Sequence, residues 1–499
     1  MSDTDSTQES TSVTPYRQTD SHGICDYEFH PTATLDAPLK KFTSQPQRLP
    51  NLVSEEPDTN LEVQKVYAFL DQVGIPADGF TEGWDCTEDS KRISAQFVGY
   101  QNQRSKDQQS TDVSEPQLHV LRDADRYGFF SRSKPKALVQ LQSASFFPST
   151  SAFTYSSSPD PMTPETREEP EVDNQIESRR ISKWSAMLEG DVRDGGSNIL
   201  SFRLSNYWNS HREKFIKRCY KGIPDRWRRG GWDLLIREFG DKIGWDKGQS
   251  ADRLYERYAE ASMISSDHDV QIDLDVRRTV DGHIFCYTPY GQDQRALFQV
   301  LHAFASYCET CGYCREMGPI AATLLNYFDV EMAYLCMVRL HDWYNFHEIF
   351  AAGFPGLAES FYIQERLIEY LLPDVYQTFV QQKIKSSSYA TKWYLTLFTG
   401  TVPFQAQLRL WDVFFLRGMD VLILASVSII YALRNEIGPG NTRETIQTKL
   451  SFGFGLESKS ISLWIRSIRK LAERKDVRKL VKASRLEWNA GTDRKSLKR

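Results

Sequence analysis

Asp293-Gln-Arg-Ala-Leu-Phe-Gln-Val-Leu-His-Ala-Phe-Ala305 decides the fold class. Leu297, Phe298, Val300, Leu301, Phe304 and Ala305 recur at helical spacing and form a broad apolar face, and Asp293 is placed to cap it. The same period continues outward. It predicts helices over Pro319–Tyr327, where Pro319 is tolerated in the first turn, over Ala333–Trp343, over Gln405–Phe415 and over Val421–Leu433, with Arg417-Gly418 as a stop between the last two. Tyr362–Lys383 is interrupted at Pro373, so it reads as two helices or one kinked helix. Upstream, Ile181, Trp184, Met187 and Leu188 share a helical face, and a second helix starts near Asn206 and runs through Trp208, Phe215 and Ile216 toward Tyr220. Alternating runs that would mark strands are few. The expected fold is all-α, and a helical body of roughly 230 residues is large enough for two lobes.

Composition sets the outer limits. Of 499 residues, 40% are hydrophobic and 25% charged, the balance of a chain that buries a core in part of its length. The N-terminus opens Met1-Ser-Asp-Thr-Asp without an apolar segment, and Val421–Leu433 is too short to span a bilayer, which takes about 20 apolar residues. A cytoplasmic protein is expected, at most peripheral on endomembranes or the plasma membrane. The net charge of -5 conceals a gradient: residues 1–180 carry about -12 and the last 43 residues about +9. Residues 1–180 are rich in Ser, Thr, Asp, Gln and Pro and read as a mostly disordered acidic region with proline-directed sites at Ser158 and Thr163. Within it, Val63, Val66, Tyr67, Leu70 and Val73 keep helical spacing before Gly74, as a docking helix or a transient one. At the other end, Arg474, Lys475, Arg478, Lys479, Lys482 and Arg485 make a basic helix face, solvated by default and suited also to an anionic membrane. An acidic chain without a base-reading motif is not expected to bind nucleic acid.

Eight cysteines without a secretory signal are expected to be free thiols. Cys308, Cys311 and Cys314 fall at three-residue spacing, but no fourth ligand follows at a suitable distance, so they read as small buried residues and no metal is expected. His302, His341 and His347 read as core or interface histidines, and Asp329 and Glu331 as solvated loop residues.

Four groups of residues stand out, although by spacing alone the first is a packing motif and the second a surface ion pair. Gly222-Ile223-Pro224 leads into a helix on which Arg228 and Trp232 lie four apart. Ile272, Asp275, Arg278 and Thr279 follow, with Asp275 placed to accept from the Arg278 guanidinium and fix its rotamer. Then come Gly312-Tyr313 with Met317, and last Leu408-Arg409-Leu410-Trp411-Asp412. In this order, together with Gly318-Pro-Ile-Ala-Ala-Thr-Leu-Leu and Ala390-Thr-Lys-Trp-Tyr, they resemble the TBC domain family, activators of Rab-type small GTPases, over about residues 213–436, in the style of a fungal member.

The resemblance implies a V-shaped, two-lobed helical domain that grips a GTP-bound Rab and completes its active site in trans. It divides the chain into a regulatory region (1–180), a helical lead-in (181–212), the TBC domain (213–436) and a basic, partly helical C-terminal extension (437–499). Such a protein is a regulator rather than an enzyme and has no cofactor of its own, since GTP and Mg²⁺ belong to the partner. Arg278 matches the arginine finger, with Asp275 and Tyr313 in support; Arg277 is off the pattern. Arg409 and Asp412 match a structural pair. The family's second finger, a glutamine that orients water, falls at Arg315, and Glu316 stands where the family has glycine. Guanidinium only donates, whereas an amide also accepts, so weakened GTPase activation is expected. The alternative is a non-catalytic Rab-binding scaffold.

Overall fold

In a computed structural model, residues 59–73, 125–130, 174–193, 199–244, 250–279, 283, 290–438, 440–451 and 458–496 are described. The expected disorder of the remaining N-terminal region, and Ser158 and Thr163 with it, fall outside these residues. The elements in chain order are α1 (Thr59–Val73), α2 (Asn174–Ser185), β1 (Leu188–Arg193), β2 (Ile199–Leu204), α3 (Asn206–Ser210), α4 (Arg212–Lys221), α5 (Asp225–Ile243), α6 (Ala251–Ala261), α7 (Asp269–Val276), α8 (Gln292–Ala305), α9 (Met317–Leu325) and α10 (Val330–Trp343). They continue as α11 (Phe346–Phe350), α12 (Pro355–Leu371), α13 (Pro373–Gln381), α14 (Ser387–Leu395), α15 (Phe404–Arg417), α16 (Asp420–Ala432), α17 (Arg443–Ser451), α18 (Ser458–Glu473) and α19 (Lys475–Ser496).

The all-helical expectation holds for the body, and Pro373 does separate two helices. The lead-in is different. Helix α2 stops at Ser185, and Leu188, expected on its apolar face, instead begins an antiparallel hairpin in which it pairs with Leu204. At α8 the N-cap is Gly291 rather than Asp293, which sits in the first turn. Asp329 is no idle loop residue, because its carboxylate caps α10 by accepting from the Met332 amide at 3.0 Å.

The helices sort into two groups. Helices α6 to α10 pack on one another, with α1 laid against α7; helices α12 to α16 form the second group, and α19 covers α12. Helix α15 joins them, touching α4 and α5 on one side and α16 and α18 on the other. It can do so because it is enclosed all round: nearly every residue from Ala406 to Leu416 is buried, the polar Gln407 and Asp412 among them. Helix α16 is likewise enclosed, a core helix as its length implied, and no helix among the described residues is long and apolar enough to cross a membrane. The C-terminal helices belong to the body: Ile461, Ile465 and Ile468 of α18 are buried, and Arg485 of α19 donates to Glu359 Oε1 and Asp420 Oδ1, each at 2.6 Å.

The two groups are fastened at Asp412. Its carboxylate is fully buried and accepts from the Ile223 amide at 2.8 Å, Trp232 Nε1 at 2.9 Å and Arg228 Nε at 3.3 Å. Arg228 in turn donates to the Ile223 carbonyl at 2.7 Å and the Tyr327 hydroxyl at 3.1 Å, and pairs with Asp225. Burial lifts the Asp412 carboxyl above the ordinary range, while Arg228 and the two N–H donors pull it back. Arg409, grouped with Asp412 as a structural pair, donates to the Tyr220 carbonyl at 3.0 Å; burial pushes its guanidinium down to about 10 against the pull of the Asp412 charge. That side chain lies over Gly222, where φ is 99° and a Cβ would come within 2.4 Å of Arg409 Nε; only glycine fits. Trp411 completes the joint, its ring 5.6 Å from that of Trp232 and its indole donating to the Leu397 carbonyl at 2.9 Å.

Asp412→Ala strands a buried guanidinium, an indole and an amide at once, and its expected cost is about 3–5 kcal/mol in chemical unfolding. Arg229→Ala, which removes an exposed pair with Asp329, should cost no more than about 1 kcal/mol in the same experiment.

Candidate functional site

Helix α7 is short, and its position is fixed from both ends. At its start, Asp269 is fully buried, accepting from the Ser266 amide at 2.9 Å and meeting His302 Nδ1 of α8 at 2.5 Å, so His302 is a core histidine as expected. At its other end the chain turns through Arg278, whose amide donates to the Asp275 carbonyl at 3.0 Å. Thr279 Oγ1 closes on the same carbonyl at 2.7 Å and packs against Gly318, where a Cβ would approach to 2.9 Å. Side chains at Gly318 are therefore excluded if α9 is to come this close.

Asp275 is the centre of the arrangement. It has no solvent exposure, and its Oδ1 accepts from Arg278 Nε at 2.9 Å and Nη2 at 2.6 Å. Oδ2 accepts from the Tyr313 hydroxyl at 3.1 Å and Gln271 Nε2 at 3.0 Å. Burial, and next to it the Asp275 charge, push the Tyr313 hydroxyl well above its usual range, so it stays protonated and acts as a donor. The Arg278 side chain is 51% exposed, so a guanidinium gripped along one edge presents its other edge to solvent.

Arg315 arrives from the loop before α9. Its Nε lies 3.7 Å from Asp275 Oδ1 and its side chain is 61% exposed. Glu316 does not draw it away: that carboxylate accepts from Cys314 Sγ at 2.8 Å. Two guanidinium groups thus stand beside one buried carboxylate, open to solvent. Arg277 points elsewhere, donating to Asp273 at 2.7 Å with its guanidinium over the Tyr290 ring at 4.7 Å.

The sequence singled out Asp275, Arg278, Tyr313 and Arg315, and all four meet here; Gly222, Ile223, Pro224, Arg228, Trp232, Trp411 and Asp412 meet at the joint between lobes. Gln271 was missed, though its spacing of four from Asp275 was visible. So was Tyr327, which reaches Arg228 only through tertiary folding. Part of the N-terminal region also reaches this helix. Tyr67 of α1 donates to Asp273 Oδ1 at 2.8 Å and stacks on Phe298 at 3.6 Å, and Arg295 donates to Asp71 at 2.9 Å, so α1 is docked rather than transient. Residues 125–130 lie beside Thr279, where Phe129 bridges to His283 and lines a cavity of about 400 Å³ with Thr279, Asn326 and Gln407.

A helical body joined through a buried Arg–Asp–Trp knot, with a braced and exposed arginine just past the end of a short helix, is the class of domain the motif order had indicated. Residues 225–438 match the family model described as the Rab-GTPase-TBC domain. Over that region the chain is similar to TBC-domain proteins. It is 35% identical over 258 residues to a TBC domain-containing protein of Schizosaccharomyces pombe, a match covering 51% of this chain and 58% of that protein. To the GTPase-activating protein GYP5 of Saccharomyces cerevisiae it is 30% identical over 217 residues, 43% of this chain and 22% of that one. The crystal structure of the Ypt/Rab-GAP domain of Gyp1p aligns with 59% of this chain and 98% of its own, at 15% identity and a TM-score of 0.44. The chain spans 58% and 22% of the length of these two curated relatives.

Removing the Tyr313 hydroxyl leaves Asp275 with three donors and one vacant lone pair. Tyr313→Phe should lower stability by roughly 1 kcal/mol in urea unfolding. Arg278→Ala, half-exposed and screened by solvent, should stay within about 1 kcal/mol.

Proposed function

We propose that this protein activates a Rab-type GTPase, delivering Arg278 in trans to the partner's GTP. The observation that carries this is the pairing of a fully buried Asp275 with a half-exposed Arg278. An isolated arginine on a surface samples many rotamers; one held at Nε and Nη2 has lost that freedom before the partner arrives, and its remaining N–H groups point outward. Charge that builds on the transferring phosphoryl oxygens then meets a preorganised cation, an effect worth about 10³–10⁵ in rate for arginine fingers. The nucleotide and Mg²⁺ come with the partner. Val270 and Leu274, four apart on α7, are exposed apolar residues that suit the partner's surface.

Arg315 stands at the position of the water-orienting glutamine. Guanidinium has no acceptor for the attacking water, while its charge beside Asp275 adds a second cation toward the phosphates, so activation is weakened and binding of the GTP-bound form is retained. The same observation favours a second reading, a Rab-binding scaffold without catalysis. Either activity fits membrane traffic, and the exposed Lys475, Arg478, Lys479 and Lys482 of α19 supply a face for anionic lipid.

GTP hydrolysis by a panel of Rabs separates the readings. With the responsive Rab, Arg278→Ala should slow the stimulated rate by about 10³ or more. Changing Arg315→Gln and Glu316→Gly together should raise it above that of the natural sequence. Stimulation indifferent to Arg278 would sink the finger assignment, and binding of Rab–GTP without any stimulation by either form would leave the scaffold.

A further inference from the structure

The chain turns sharply just before Tyr313 and Arg315, and four metal-ligating side chains meet inside that turn. Cys308 and Cys311 follow the end of α8; His341 lies on the last turn of α10, and His347 on α11. Their donor atoms all lie within 4.8 Å of one another. His341 Nε2 and His347 Nδ1 are 3.1 Å apart, Cys311 Sγ is 3.5 Å from each of them, and Cys308 Sγ is 3.7 Å from His347 Nδ1.

We propose that Cys308, Cys311, His341 and His347 bind one structural Zn²⁺. Four of the six spacings come close to a tetrahedron: with Zn–S of about 2.3 Å and Zn–N of about 2.0–2.1 Å, facing S and N atoms should be about 3.6 Å apart and two N atoms about 3.3 Å; the two spacings from Cys308 Sγ to Cys311 Sγ and to His341 Nε2 lie within 4.8 Å. The donor set points to zinc as well, two thiols and two imidazoles being the soft and borderline ligands of a closed site. Charge balances on binding. The two thiols release their protons to solvent, and Zn²⁺ with two thiolates and two neutral imidazoles is neutral overall, which suits a place where Cys311 and His341 are buried. The outer ring is in place too: Asp342 Oδ1 accepts from His341 Nδ1 at 2.6 Å, which leaves Nε2 with its lone pair facing the cluster, and Asp342 Oδ2 accepts from the Tyr307 hydroxyl at 2.6 Å.

Sequence spacing had pointed to Cys308, Cys311 and Cys314 and rejected them for want of a fourth ligand. Cys314 is the wrong third member, since it serves Glu316. The missing ligands come from about thirty residues downstream, across the packing of α8 on α10. Such a metal would clamp the loop two residues before Tyr313 and four before Arg315, tying the position of both to α10. It stands independently of any GTPase activity.

The test is zinc content of the full chain, purified without chelator or metal-affinity resin, by plasma mass spectrometry. The expected result is about one zinc per chain. Cys311→Ser and His347→Ala should each reduce it to background, while Cys314→Ser keeps it. Because a ligand variant can unfold, the natural sequence is also exchanged into Co²⁺, where the visible ligand-field bands and thiolate charge-transfer of a tetrahedral S₂N₂ site are expected. Zinc-free natural protein that gives no such cobalt spectrum overturns the proposal, as does zinc retained by the folded Cys311→Ser or His347→Ala chain.

Discussion

Everything in the body hangs on a carboxylate out of reach of water. Asp412 cannot be buried alone, because an uncompensated charge in the interior costs several kcal/mol. It is tolerable only while Ile223, Trp232 and Arg228 all donate to it, and these reach it only if α15 lies against the start of α5. The requirement therefore acts as a geometric lock: one relative placement of α15 and α5 satisfies every donor, and any slippage leaves several unsatisfied. Gly222 belongs to the same constraint, since the chain must leave α4 with a positive φ under the Arg409 side chain.

A second buried aspartate repeats the principle for a different end. At Asp412 the arginine is buried with its partner and its donors are consumed internally; at Asp275 the partner is buried and the arginine is not. The first arrangement rigidifies. The second leaves a fixed cation facing outward, with the cost of burying the carboxylate offset by Tyr313 and Gln271 rather than by the arginine alone. The buried members hold the fold, and the arginine they brace faces solvent.

The N-terminal and C-terminal regions also take part in this body. Helix α1 touches α7, just ahead of Arg278, through Tyr67 and Asp273. At the other end Arg485 is held by Glu359 and Asp420, and Arg474 by Asp476, which removes two members from the basic run and leaves the exposed lysines and Arg478 as the charged face.

Helical periodicity, and so the fold class, could be read from local sequence, because an apolar face at a spacing of 3.6 is dictated by neighbours within a few turns. Spacing offered Asp275 and Arg278 as an ion pair, and only the order of the motifs along the chain pointed to a brace; that the carboxylate is fully buried appears only in the folded chain. The hairpin at Leu188 was not, since Met187 and Leu188 continue a helical pattern and only the pairing of Leu188 with Leu204 reveals a strand. Nor could sequence choose a partner for Asp412; it offered the neighbouring Arg409, and packing supplied Arg228 from 184 residues away. The meeting of Cys308 and Cys311 with His341 and His347 is of the same kind. Local order fixes which groups a helix presents, but which distant group stands opposite is decided only when helices pack.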